Sequence, residues 1–146
     1  MTTTDITLVK DSFSKVAPIA DQAAVLFCGR LFELDPSLRP LFHGNMVEQG
    51  RKLMSALATA TAALERPDQL LPVVRQLGVR HIQYGVREEH YATVGAALLW
   101  TLEKGLGAGF TPAVRNAWTA TYTLLANTMI DAARTAEAGT GNKNKN

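Results

Sequence analysis

The chain holds a single cysteine, Cys28, among its 146 residues. No disulfide can form within it, and a reducing cytoplasm is the compartment it suits. No apolar run approaches the roughly 18 residues of a membrane span. The stretch Met1 to Asp5 shows no basic segment followed by an apolar one, so no secretory signal is expected. Charge of one sign is missing as well. Fifteen Lys and Arg against thirteen Asp and Glu leave a net +2. The isoelectric point of about 8.9 owes part of its height to Lys143 and Lys145, and no basic run points to nucleic acid. No segment alternates apolar and polar residues as a half-buried strand does, and no internal repeat is visible.

What remains has the composition of one ordinary globular domain, 47% apolar and 19% charged, long enough to bury a real core. The apolar period is helical throughout. Ile6, Val9, Phe13 and Val16 line one face of a first helix, capped by Thr4 or Asp5 and ending near Pro18. Ala24, Phe27, Cys28, Leu31 and Phe32 stripe a second, bounded by Pro36. A third runs from about Met46 to Leu64, its inner face formed by Gln49, Leu53, Ala56, Leu57, Ala60 and Leu64. Pro67 opens a fourth, which Tyr84-Gly85 ends. Tyr91, Val94, Leu98 and Leu102 mark a fifth that stops in the glycines 105–109. Thr111-Pro112 caps a sixth, striped by Val114, Trp118, Tyr122, Leu125 and Met129. The pattern predicts an all-α domain over residues 1–138. The tail 139–146, GTGNKNKN, lacks an apolar anchor and is expected to be disordered.

Several runs carry more than periodicity. LFELDPSLRPLF, Leu31 to Phe42, resembles the junction of the second and third helices in globins, with Pro36 opening the short third helix and Phe42 as the phenylalanine that stacks on haem. LGVRHIQYGV, Leu77 to Val86, is similar to the globin proximal segment. His81 then falls at the proximal position, 32 residues after Gln49 at the distal one. Tyr91-Ala92-Thr93-Val94-Gly95 and Ala117-Trp118 match bacterial single-domain globins, flavohaemoglobin haem domains and neuroglobins. The resemblance covers about residues 5–135 and implies a globin fold around a haem pocket.

It also implies a site. His81 becomes the iron ligand, leaving the other face of the haem open. Phe32, Phe42, Leu53, Leu57, Leu77, Val86, Tyr91, Val94 and Leu98 supply the apolar walls that a flat cofactor needs. Lys52 and Arg80 are candidates to reach the propionates. The Gln49 amide can donate a hydrogen bond to a bound gas, with Leu53 one turn later on the same face. His43 and His90 are read as exposed or structural. No Cys-x-x-Cys-His attachment motif occurs, so the haem is expected to be non-covalent haem b.

Two departures from the bacterial pattern stand out. Cys28, fourteen residues before Phe42, replaces a tyrosine whose hydroxyl holds bound oxygen. It is either a weak thiol donor in the distal pocket or a small apolar core residue. Ala133, fifteen residues after Trp118, stands where flavohaemoglobins carry a glutamate, and Asp131 lies round the far side of the helix. The missing carboxylate weakens electron push and favours reversible binding over peroxidase-like activation. The resemblance thus implies a carrier or sensor of O2, CO or NO. Its enzymatic alternative, nitric oxide dioxygenase, would need a separate flavin reductase, because no reductase domain follows the last helix. A monomer or a homodimer is equally compatible with the sequence.

Overall fold

The computed structural model describes residues 2–42, 45–83 and 85–145, with the side chains of 83 and 137–145 left aside. Six α-helices, joined by short 3-10 turns, make up the described residues, and no strand occurs among them. They are α1 (Thr3–Val16), α2 (Ala20–Leu34), α3 (Met46–Ala62), α4 (Pro67–Gln83), α5 (Glu88–Leu106) and α6 (Pro112–Lys145). None is long and apolar enough to cross a membrane. The helical backbone of α6 extends past residue 138, where composition alone ends the packed domain.

Helix ends follow local chemistry. α1 is capped one turn earlier than its apolar stripe suggests. Thr2, not Thr4 or Asp5, is the N-cap: its hydroxyl accepts from the Asp5 N–H, and the Asp5 carboxylate accepts from the Thr2 N–H. Asn45 caps α3 through Oδ1 and the Val47 N–H at 2.8 Å. Thr111 caps α6, accepting from the Val114 N–H at 3.2 Å.

The core sits between α1, α5 and α6, with α3 laid across it. Val9, Phe13, Val16, Leu98, Leu102, Val114, Ala117 and Trp118 form its centre. The Trp118 indole N–H donates to the buried Ser12 hydroxyl at 2.8 Å and ties α6 to α1. A second cluster, Phe27, Leu31, Leu38 and Ala97, takes Phe32, Leu41, Phe42, Leu53 and Val94 against it.

α3 differs from its expected inner face. Its buried stripe is Gly50, Met54, Leu57 and Thr61, continued by Leu64 beyond its end. Gln49, Leu53 and Ala60 are half-buried on the shoulder of that stripe, and Ala56 is exposed. The cause is a close helix crossing: a Cβ on Gly50 would lie 2.5 Å from the Ala24 Cβ, so only glycine admits this approach of α3 to α2. α4 is seated by similar means. A Cβ on Gly78 would fall 2.6 Å from the Met129 Cα, so the backbones of α4 and α6 touch there.

Candidate functional site

Consecutive helices normally pack on one another. α3 and α4 depart from this: α3 packs chiefly on α2 and α4 chiefly on α6, and neither is a main packing partner of the other. Apolar side chains from several elements are left only half-buried, namely Phe42 before α3, Leu53 on α3, Leu77 on α4, Val86 before α5, and Tyr91 and Val94 on α5. Leu57 and Leu98 are buried. Phe42 meets Phe32 edge-on, with ring centroids 5.5 Å apart and planes at 81°.

His81 sits half-buried near the end of α4. Its Nδ1 lies 2.5 Å from the Leu77 carbonyl, which has no proton to give, so Nδ1–H donates and the ring lone pair belongs to Nε2. The Tyr91 ring lies 6.4 Å away, tilted by 34°. Burial pushes the Tyr91 phenol above its ordinary value. Just after His81 the chain reverses: Gly85 N–H donates to Ile82 O, Val86 N–H donates to His81 O, and Gly85 holds a φ of +83° that other residues rarely adopt. A Cβ at Gly85 would sit 3.2 Å from the Leu41 Cδ2. The turn beyond His81 therefore rests against the segment that carries Phe42.

Gln49 is half-buried in the first turn of α3. Cys28 is half-buried on α2, one turn after Ala24, and its thiol is pushed up by burial. It lines a cleft with Met46 and Val47, the first residues of α3. Lys52 and Arg80 are both exposed. His90 is half-buried, its Nδ1 accepting from the Arg87 N–H at the start of α5, which is a capping role. His43 lies outside the described residues. Ala133 is half-buried, and Asp131 opens instead into a groove shared with Arg75, Val79, Thr128 and Thr135.

Sequence reasoning did not find the Leu77 carbonyl as the His81 acceptor, because every helical residue offers the same group. It also missed Gly50 and Gly85, whose signal was the glycine itself beside a candidate site residue.

The residues fit haem on two counts. One imidazole keeps its lone pair on the nitrogen remote from the backbone, as a metal ligand needs. Consecutive helices that avoid each other, with half-buried apolar side chains around them, provide a slot for a flat cofactor.

A family model for globins matches residues 25–129, and the chain belongs to the globin family. It is 36% identical over 121 residues to a flavohemoprotein of Bordetella parapertussis, covering 80% of this chain and 30% of that protein. A flavohemoprotein of Chromobacterium violaceum is 36% identical over 108 residues, 71% of this chain and 26% of that protein. The chain thus spans less than a third of the length of these relatives. Among solved structures, a bacterial globin from Campylobacter jejuni superposes with a TM-score of 0.81 at 26% identity, covering 94% of this chain and 99% of that one. An engineered carbene transferase from Rhodothermus marinus, described as a candidate nitric oxide dioxygenase, has the same fold with a TM-score of 0.86 at 24% identity, covering 97% and 99%. Membership of the family implies a haem cofactor.

Proposed function

We propose that this globin reversibly binds oxygen, or another diatomic gas, on a non-covalent haem b held by His81, for storage, delivery or sensing. The observation that carries the reading is the Nδ1–H bond of His81 to the Leu77 carbonyl, which fixes the tautomer a ligand imidazole requires. Haem, when bound, supplies the iron that takes the gas; the chain supplies shape, donors and exclusion of water. Phe42, Leu53, Leu57, Leu77, Val86, Tyr91 and Val94 would enclose the ring, and Lys52 and Arg80, exposed at its edge, would pair with the propionates. Gln49 would donate its amide hydrogen to the gas. Residues 1–138 form the haem-binding unit in this reading, the tail 139–146 stays outside it, and the cytoplasm is its compartment.

Carbonyl partnership of His81 favours binding over activation. A carboxylate would draw the Nδ1 proton harder and make the imidazole a stronger electron donor. Leu77 offers only a neutral carbonyl, and Ala133 offers no acid. The second reading, nitric oxide dioxygenase, is favoured by the names of the Bordetella and Rhodothermus proteins. It requires electrons after each turnover, here from a separate flavin reductase.

Absorption spectra of the purified protein in ferric, ferrous and carbon monoxide forms test the first reading. One haem per chain is expected, with a five-coordinate ferrous spectrum, and His81→Ala should lose or loosely hold the haem. A normal five-coordinate ferrous spectrum in that variant would rule out His81 as ligand. Steady-state nitric oxide consumption separates the two functions. Rapid consumption with a nicotinamide cofactor alone would overturn the carrier reading, and slow consumption that rises only with added flavin reductase is the expected outcome.

A further inference from the structure

Between α2 and the first turn of α3 lies a cavity of about 120 Å³, lined by Asp21, Ala24, Val25, Cys28, Met46 and Val47. Five of these six present only carbon, backbone or sulfur to it. The sixth, Asp21, has both carboxylate oxygens engaged, Oδ1 by Arg51 Nε at 3.2 Å and Oδ2 by Arg51 NH2 at 3.4 Å. That ion pair ties the start of α2 to α3 just beyond the cavity. Val25 and Val47, 65% and 46% exposed, form the rim toward solvent. Cys28 leads the other way along α2: Phe32, one turn on, stacks edge-to-face on Phe42.

Water has little reason to occupy this space. A trapped water needs two to four polar partners, whereas cavities of roughly 150 Å³ lined by aliphatic groups stay dry and take xenon or small apolar molecules. An acyl chain is too large for it. A neutral two-atom gas is of the right size and polarity. We propose that this cavity is an apolar docking site for a diatomic gas beside the haem pocket, with the Cys28 thiol as part of its wall. The choice of a gas as occupant rests on the gas-binding reading. Cys28 then has a use other than donating a hydrogen bond: it is the small side chain that leaves the space open. Burial keeps the thiol protonated and the wall uncharged.

The test is xenon applied to the purified protein in its carbon monoxide form, followed by methyl NMR. Saturable shifts of the Ala24, Val25 and Val47 methyls are expected, and they should vanish in Cys28→Leu, which fills the cavity from inside. Val47→Phe, which fills it from the rim, gives a second route to the same loss should Cys28→Leu fold poorly, as judged by circular dichroism. Methyls unmoved by xenon, or shifts that persist in a folded filled variant, would overturn the proposal. The xenon readout comes from protein methyls and does not use the iron. Xenon shifts in a protein that takes up no carbon monoxide would therefore uphold the cavity and remove the haem reading alone.

Discussion

The Tyr122 hydroxyl on α6 donates to the backbone carbonyl of Tyr91 on α5 at 2.6 Å. The bond exists because Gly95 has no side chain: a Cβ there would lie 2.7 Å from the Tyr122 ring. Tyr91 is thereby fixed from behind, and its own ring stands beside His81. Tyr122→Phe should cost about 0.5–1.5 kcal/mol in urea unfolding.

A pH dependence follows from the same phenol. Burial, and then the nearby Tyr91, push Tyr122 far above its ordinary value of 10.0. The unfolded chain loses this proton near pH 10 while the folded chain keeps it, so proton loss favours unfolding. Stability from this group is complete below pH 10 and falls as pH rises beyond it. Denaturant melts at pH 9 to 11 should show that decline, and Tyr122→Phe should flatten it, leaving the smaller contribution of Tyr91, which is shifted in the same direction.

Two glycines on helices should respond oppositely to alanine. Gly78→Ala drives a methyl into the Met129 backbone, which cannot swing aside as a side chain could. A loss of about 1–3 kcal/mol or more is expected, together with weaker haem retention, since His81 rides on the same helix. Gly29 on α2 has nothing within 4 Å of its Cβ position. Gly29→Ala should therefore stabilise by about 0.5–1 kcal/mol through helix propensity. Thermal melts of the two variants, side by side, make the comparison.

The six helices and the order of the site residues were legible because both are carried by side-chain type at fixed spacing. Val9, Phe13, Val16, Leu98 and Trp118 repeat at three and four and are buried as that repeat requires. The buried stripe of α3 was not legible in the same way. A hydrophobic count favours Ala56 over Gly50, whereas packing favours Gly50, because what it contributes is the absence of an atom. The Leu77 carbonyl and the Cys28 cavity are backbone and empty space, neither of which a residue letter names. The N-cap slipped to Thr2 because Thr4 and Asp5 are equally good cap residues, and only the reciprocal bond between Thr2 and Asp5 decides.

Ser12 and Trp118 are 4% and 1% exposed, and their bond spans the core. Ser12→Ala leaves the indole N–H buried without its acceptor, a loss of about 1–3 kcal/mol. Equilibrium unfolding followed by tryptophan fluorescence measures it. Trp118→Phe in the Ser12→Ala background should cost less than the two single changes summed.

Gln49→Leu keeps bulk at the expected distal position and removes the donor. Loss of a bond worth about 1.5–3 kcal/mol corresponds to oxygen dissociation faster by about tenfold or more, with carbon monoxide changing less. Stopped-flow displacement reads both rates. Oxygen dissociation unchanged within about twofold would assign the ligand's partner elsewhere.

α4 carries the ligand histidine on one of the most lightly supported helices of the fold. Its firm footing is α6, at Gly78 and Met129, while toward α3 it has no comparable neighbour. Pro72 within it also removes one rung of its hydrogen-bond ladder. Half of the wall that holds α4 in place would then be the cofactor rather than the polypeptide. Amide exchange, followed by mass spectrometry with and without haem, should show the contrast: α1 and the first half of α6 protected in both states, α4 protected only in the loaded one. Occupancy of the site would thus be written into the breathing of a single helix.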